Sequence, residues 1–505
     1  MSQFRQQLLP RLWQRWYSRL NSVKLNPSII NANSKTSSSS SSSSNSSTQG
    51  KRRVVLLVSF SAAAATTATI AAAAMTRKSS STTATSISSS SSSTDLHHHH
   101  HHHPPSTTSV TKIPGRTNIP DEAASNPHHV LKRSGALAGF KNPYPSWSNP
   151  VGFASMLQNV LWPTITGDLK WPDTTPPTVT VVPPQWLPSR DASPRLRATW
   201  LGHACYYVEF PSGLRVLFDP VFEDRCSPFS FMGPKRFTPK PCDLKDIPVV
   251  DAVVISHSHY DHLSHGSVLE IQKHHPQAQF FVGLGLEPWF RRNGLKNVTE
   301  LDWWEDAELT VTVDNNNNNN SSDGDSSNGS GEKKKKTISA QISCLPAQHT
   351  SARSAFDKDT TLWCSWGVRS GDNNVWFGGD TGYRAVPRVP AGVDDYGPEY
   401  EALPRCPQFK HIGQHRGPFD LGLIPIGAYF PRVAFSAMHA NPFDSVEIFQ
   451  DTRCRRAMGI HWGTWALTME DVLEPPRQLR EALRRKGIPE EGVFDVCDIG
   501  QSREF

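Results

Sequence analysis

The 505-residue chain has no acidic residue before Asp95, although 11 of its 52 lysines and arginines fall there. The 41 that follow stand against all 46 acidic residues, a balance of −5. The net charge of +6 therefore belongs to the leader and gives the rest of the chain no basis for nucleic-acid binding. The eight cysteines are scattered without a CxxC pair, which argues against a zinc ribbon or a thioredoxin-type site. Residues 36–50 and 79–94 are nearly all Ser, Thr and small polar residues. With nothing to bury, they cannot offset the entropy of ordering and are expected to be disordered. Globular sequence begins near residue 125 and leaves roughly 380 residues, enough for one elaborated domain.

Within the leader, MSQFRQQLLPRLWQRWYSRL places Arg11, Arg15 and Arg19 at i, i+4 spacing, with Leu8, Leu9, Leu12, Trp13, Trp16 and Leu20 between them. A helix over this stretch has one basic and one apolar face. Arg-rich, Ser-rich and acid-free composition fits a mitochondrial transit peptide. An amphipathic helix lying on an anionic membrane shares the same features. Val54–Met75 is uncharged and bounded by Lys51-Arg52-Arg53 and Arg77-Lys78. It is long enough to cross a bilayer, which takes about 20 residues. Its second half is Ala and Thr, so a low-complexity tract is the competing reading. If it spans, the stronger basic cluster favours an N-terminus in the matrix and the folded part outside it. The run His97–His103 is a homopolymer that cannot fix ligand geometry, and it reads as low complexity. The expected layout is a targeting leader with a Ser-rich linker over 1–50, a candidate transmembrane helix over 54–75, a disordered linker over 76–125 and a folded domain over 126–505.

From Arg195 onward, short apolar runs alternate with loops. ATWLGHACYYVEF, LRVLFD, DAVVIS, QFFVGL, TISAQISCL, LWCSWGV, NVWFGG, LGLIPI and AMGI read as strands. Ser445–Arg456 and Pro476–Lys486 read as amphipathic helices, giving an α/β protein. Residues 314–336, mostly NNNNNNSSDGDSSNGSGEKKKK, read as an expanded surface loop. Its lysines are either solvated or touch anionic lipid, and the insertion could reshape one rim of an active site.

SHSHYDHL (256–263) follows the apolar run Val253-Val254-Ile255 and sets His257, His259, Asp261 and His262 close together. His349, Asp380 and His461 each end a later strand-like run. Ligands at the ends of rigid strands are held to narrow tolerances. Five histidines and two carboxylates so placed exceed what a core needs. Imidazole and carboxylate suit zinc, with iron and manganese left open. This order resembles the metallo-β-lactamase superfamily. The resemblance implies an αββα sandwich carrying two metals at one edge. Carried over by position, His257, His259 and His349 bind one zinc ion; Asp261, His262 and His461 bind the second; Asp380 bridges them.

Further segments narrow the resemblance: FKNPYPSWSNP (140–150), TWLGHACYYVEF (199–210), FDPVFEDRCSPFSFMGPKRF (218–237), ELDWWE (300–305), GGDTGY (378–383), IPIGAYFPR (424–432) and IHWGTWAL (460–467). Over about residues 138–477 the chain is similar to the N-acylphosphatidylethanolamine-hydrolysing phospholipase D group, in a mitochondrial, fungal-type form. That implies hydrolysis of the distal phosphodiester bond, giving phosphatidic acid and an N-acylethanolamine, with two zinc ions per chain as cofactors. It implies Asp261 and His439 as catalytic residues. His439, in AFSAMHANP, is the candidate for substrate binding or proton delivery, with an ordinary loop histidine as the alternative. His203 matches a pattern near the site but is left outside the ligand set. The expected partners are a phospholipid substrate and a membrane surface, with no nucleic acid and a candidate homodimer, at the mitochondrial inner membrane. The stretch 131–162 either rests at the lipid interface or packs on the domain. No HxKxxxxD motif occurs, which disfavours the unrelated phosphohistidine class. The alternatives are hydrolysis of another lipid phosphodiester, a lactone or a thioester, or a non-catalytic membrane protein on the same fold.

Overall fold

A computed structural model describes residues 106–147, 153–314, 335–390 and 392–505. The leader, the 54–75 segment, the histidine run and residues 315–334 lie outside the described residues. Among the described residues no helix is long and apolar enough to cross a membrane.

The strands are β1 (Ser106–Lys112), β2 (His129–Leu131), β3 (Leu137–Phe140), β4 (Arg197–Gly202), β5 (Cys205–Glu209), β6 (Arg215–Phe218), β7 (Ala252–Val254), β8 (Gln279–Gly283) and β9 (Val298–Leu301). They continue with β10 (Asp306–Asp314), β11 (Lys335–Leu345), β12 (Ser365–Ser370), β13 (Asn373–Phe377), β14 (Phe419–Pro425), β15 (Cys454–Ile460), β16 (Phe494–Asp495) and β17 (Ser502–Glu504). One sheet has the order β1-β10-β11-β12-β13-β14-β15-β16, and a second the order β17-β4-β5-β6-β7-β8-β9. The helices are α1 (Phe153–Met156), α2 (Trp162–Thr166), α3 (His265–His274), α4 (Glu287–Arg292), α5 (Gln408–His415), α6 (Arg432–Phe435), α7 (Pro442–Asp451) and α8 (Glu474–Arg485).

Two-residue periodicity divides the strands between two cores. Tyr206 and Val208 of β5 join Val216, Phe218, Leu309, Val311, Ile342, Phe377 and Leu423 in one cluster that both sheets build. Cys205 and Tyr207 of the same strand point the other way, to Val268 and Ile271 of α3 and Phe290 of α4. On the outer side of the other sheet, α7 packs on β14, β15, α5 and α8. Each fully buried Leu, Val or Phe contributes about 1.5–3 kcal/mol. The result is the helix–sheet–sheet–helix layering that the family resemblance implies.

Parallel pairing sets where the strands end. β6, β7 and β8 run parallel, and β4 shares their direction because two antiparallel steps separate it from β6. In the other sheet β11, β13, β14 and β15 share one direction by the same reasoning. The loops after these C-terminal ends carry the polar residues singled out above.

Several local expectations are corrected. ATWLGHACYYVEF is two antiparallel strands, not one, with His203 and Ala204 between them. The helix read as Ser445–Arg456 starts three residues earlier, where the Asn441 side chain accepts from the Asp444 amide and Pro442 occupies the first turn. It ends at Asp451 because Arg453 turns left-handed at φ +58° and the chain enters β15. Residues 106–125 are not a disordered linker: β1 pairs with β10 along its whole length, from Ser106 opposite Val313 to Lys112 opposite Ala307. Its Ser/Thr composition looked like low complexity, yet β-branched Thr and Val suit an edge strand. The ends of the 314–336 insertion also belong to the fold, since Asp314 pairs with Lys335 and Val313 with Lys336. The points where the insertion leaves and rejoins lie at the start of β11, roughly 33 Å by strand rise from Leu345, the end that leads to His349.

Candidate metal centre

Each polar residue of the centre is set by the strand before it. β7 delivers Ser256–Leu263, β11 delivers His349, β13 delivers Asp380, and β15 delivers His461 directly. The structure brings all seven residues together in two groups joined by one carboxylate. In the first, His257 Nε2 lies 2.8 Å and His349 Nε2 3.3 Å from His259 Nδ1. In the second, Asp261 Oδ2 lies 3.3 Å from His461 Nε2 and 3.4 Å from His262 Nε2. Asp380 stands between them, with Oδ2 3.2 Å from His262 Nε2, 3.6 Å from His349 Nε2 and 3.9 Å from His257 Nε2. Its Oδ1 is 3.1 Å from His461 Nε2.

The donor set fits metal ions. His262 Nε2 and Asp380 Oδ1 are buried without a hydrogen bond, a state that costs about 1–3 kcal/mol per group. Burial holds His257 well below the usual imidazole range, His259 down to about 4 and His349 down to about 3, so all three keep the neutral form that ligates. Burial opposes ionisation of Asp261 and Asp380, yet the neighbouring His262 and His461 hold both carboxyls well below their usual range. Burial would likewise lower His262 and His461, but the surrounding carboxylates raise His262 well above its ordinary value and His461 to about 9. The carboxylates thus draw positive charge onto two imidazoles. A divalent ion supplies that charge and leaves both Nε2 atoms free to ligate.

Outer partners fix the imidazole tautomers. His262 Nδ1 donates to Asp219 Oδ2 at 2.6 Å, and Asp219 also accepts from the Ser256 amide at 2.7 Å and the Ser256 hydroxyl at 2.5 Å. His257 Nδ1 meets the Ser256 hydroxyl at 2.9 Å, and His349 Nδ1 donates to the Met438 carbonyl at 2.9 Å. Asp219 had no role in the sequence reading, though it carried the same signal as the others: it directly follows a strand, β6.

Arg353, also missed, ties two ligand loops together. Its Nη1 donates to the carbonyls of Ser258 and Leu263, both at 2.8 Å. Its guanidinium lies 4.1 Å from the Tyr260 ring centroid, and the Tyr260 hydroxyl returns a bond to the Arg353 carbonyl at 3.2 Å. A lone arginine among small loop residues left no pattern to find. Close main-chain approach explains two glycines of the quoted segments. A Cβ on Gly382 would sit 2.1 Å from the Ala437 carbonyl oxygen, and one on Gly427 2.2 Å from that of His461.

The two remaining histidines border the centre. His439 Nδ1 lies 3.8 Å from Asp380 Oδ2, has no hydrogen-bond partner, and its ring stacks 5.3 Å from that of His461. His203, left outside the ligand set above, places Nε2 3.2 Å from Asp261 Oδ2. Beside His439, an apolar cluster joins Phe435, Met438 and Met469 to Val160, with Trp147, Met156 and Trp171 packed on it. Of the stretch 131–162, Trp147, Met156 and Val160 therefore pack on the domain, while Leu157 and Trp162 are exposed, as is Ile165 of the same α2.

Residues 214–462 match the sequence model of the β-lactamase superfamily domain. The chain is 35% identical over 374 residues to N-acyl-phosphatidylethanolamine-hydrolyzing phospholipase D 1 of Caenorhabditis elegans, spanning 72% of this chain and 91% of that protein. It is 35% identical over 300 residues to an uncharacterized protein of Mycobacterium tuberculosis, covering 58% of this chain and 65% of the other. It is 33% identical over 312 residues to the mitochondrial N-acyl-phosphatidylethanolamine-hydrolyzing phospholipase D of Saccharomyces cerevisiae, covering 61% of this chain and 55% of the other. With a candidate metal-binding constellation at strand ends and 91% of a named relative spanned, the chain belongs to the N-acylphosphatidylethanolamine-hydrolysing phospholipase D family of the metallo-β-lactamase superfamily.

Proposed function

We propose that this enzyme hydrolyses N-acylphosphatidylethanolamine at the distal phosphodiester bond, releasing phosphatidic acid and an N-acylethanolamine, with two zinc ions per chain. The observation that carries the reading is Asp380, whose Oδ2 lies 3.2 Å from His262 of one ligand group and 3.6 Å from His349 of the other. His257, His259 and His349 would hold one ion, and Asp261, His262 and His461 the other. When bound, two zinc ions lower the pKa of water and neutralise charge on a phosphoryl oxygen.

The chain's own residues do the rest. His439 is buried enough to stay neutral, since burial holds it well down, to about 3, and its unpaired Nδ1 is available to a phosphoryl or leaving oxygen. Held neutral, it positions the headgroup by donating an imidazole N–H hydrogen bond to a phosphoryl or leaving oxygen. The apolar cluster around Phe435 and Met438 excludes water on that side and suits a lipid. A phospholipid membrane surface is the partner in this reading, supported by exposed Leu157, Trp162 and Ile165 beside that cluster. The acid-free leader and the name of the yeast relative support a mitochondrial location; placement at the inner membrane and a homodimer belong to the same proposal.

The test is a lipid panel assayed with metal-reconstituted protein, both products being identified by mass spectrometry. Only N-acylphosphatidylethanolamine should yield the expected pair at an appreciable rate, and His259→Ala or Asp261→Ala should abolish it. His439→Ala should keep both ions and lose about 100-fold in turnover. Unchanged turnover in the ligand variants, or preferred cleavage of a lactone or thioester, sinks the proposal.

A further inference from the structure

His203 lies outside the seven residues assigned to the ions, yet it is placed as tightly as any of them. It sits between β4 and β5 in the left-handed region at φ +52°, which a non-glycine residue holds only when its surroundings over-determine it. Those surroundings are visible. Its amide donates to the Thr464 hydroxyl at 2.7 Å, and its carbonyl accepts from Trp200 Nε1 at 2.9 Å and from the His461 amide at 3.1 Å. His461 is left-handed too, at φ +64°, and the two rings lie 4.2 Å apart. Trp465 closes the far side edge-on at 5.0 Å.

All of this aims one nitrogen at one oxygen. His203 Nε2 is 3.2 Å from Asp261 Oδ2, whereas its Nδ1 is buried with no partner. A histidine kept only for packing would have no reason to face a ligand while leaving its other nitrogen unpaired. The other imidazole that hydrogen-bonds Asp261 is His461, at 3.3 Å through the Nε2 that an ion would require. Once His461 ligates, His203 is the one that can still hold the carboxylate. Carboxylate ligands are themselves oriented by hydrogen bonds, and loss of such a partner typically weakens metal binding 10–100-fold.

We propose that His203 is a positioning residue for the second zinc ion: its Nε2–H grips Asp261 Oδ2 and sets that carboxylate toward His262 and His461. This rests on the two-ion reading of the centre. It also predicts selectivity, because His203 has no contact with His257, His259 or His349 among the described interactions.

The experiment is a zinc competition titration of the full chain against a chelator, giving two dissociation constants. His259→Ala and Asp261→Ala proteins identify which constant belongs to which position. His203→Gly accepts the left-handed backbone without its side chain. It should weaken the second ion 10–100-fold and leave the first within threefold. His203→Gln, whose amide reaches as far as Nε2, should recover at least part of the loss. If the glycine variant does not fold, His203→Asn replaces it, since asparagine tolerates this backbone but its amide ends short of Asp261. Two wild-type constants in these variants, or equal weakening of both, overturns the proposal. A wild-type chain that binds fewer than two ions contradicts the two-ion reading itself, a separate outcome.

Discussion

Replacing Asp219 by asparagine keeps the size of the side chain and turns one acceptor into a donor. Asp219 accepts three hydrogen bonds, two from Ser256 and one from His262 Nδ1 at 2.6 Å. In Asp219→Asn the carbonyl can still serve the Ser256 amide, which leaves the NH2 facing His262. The imidazole must then accept at Nδ1 and carry its proton on Nε2, the atom 3.2 Å from Asp380 Oδ2. A protonated Nε2 cannot ligate. Restoring the ligating tautomer sets N–H against N–H in a fully buried place, an unpaired group worth about 1–3 kcal/mol. That corresponds to a second zinc ion bound about 5–150-fold more weakly. The assay is the same chelator competition, with thermal melting of the metal-free protein as a control for folding. Two wild-type affinities in Asp219→Asn would refute the idea that Asp219 sets the His262 tautomer.

Arg353→Met removes two charge-assisted bonds to the Ser258 and Leu263 carbonyls, at a cost of about 3 kcal/mol, and should weaken the first ion because His257 and His349 lie on the loops it joins; urea unfolding and zinc titration read the two effects. Gly382→Ala pushes a Cβ to 2.1 Å from the Ala437 carbonyl oxygen, which only main-chain movement relieves, so a loss of about 3 kcal/mol is expected in urea unfolding. For Asp302, burial pushes the carboxyl up, but His128, Arg116 and His129 together bring it down to about 2. Burial holds His128 itself down, and Arg116, 2.7 Å from Asp302, supplies a permanent charge beside it. A folded value below the unfolded one stabilises the fold above about pH 4, and the gain is lost as pH falls toward 2. The melting gap between wild type and Asp302→Asn should therefore be worth about 2 kcal/mol at pH 6 and shrink between pH 4 and 2; a gap that stays constant contradicts it.

The candidate metal ligands were legible because histidines cluster with carboxylates after apolar strands, in an order that resembles a known family. Asp219 shared the position after a strand but had no neighbouring histidine in sequence, and a single aspartate after a strand is common in turns. His203 was singled out by its pattern but lay inside what read as one continuous strand, and only the left-handed φ at the break shows where its ring must go. Arg353 and β1 were illegible for different reasons. An arginine that bonds main-chain carbonyls leaves no pattern in sequence, because any loop offers carbonyls. Ser106–Lys112 pairs with β10 through its backbone, which composition does not report. The helix boundary at Asn441 was readable in principle, as an N-cap residue followed by proline.

The central claim is hydrolysis at phosphorus on the distal side of the phosphodiester, and isotope placement tests it most directly. The zinc-loaded enzyme is given N-acylphosphatidylethanolamine in water enriched in oxygen-18, and both products are weighed by mass spectrometry. One labelled oxygen per turnover should appear in the phosphate of phosphatidic acid, with none in the N-acylethanolamine. Label in the ethanolamine hydroxyl, or in a released fatty acid, would contradict the account.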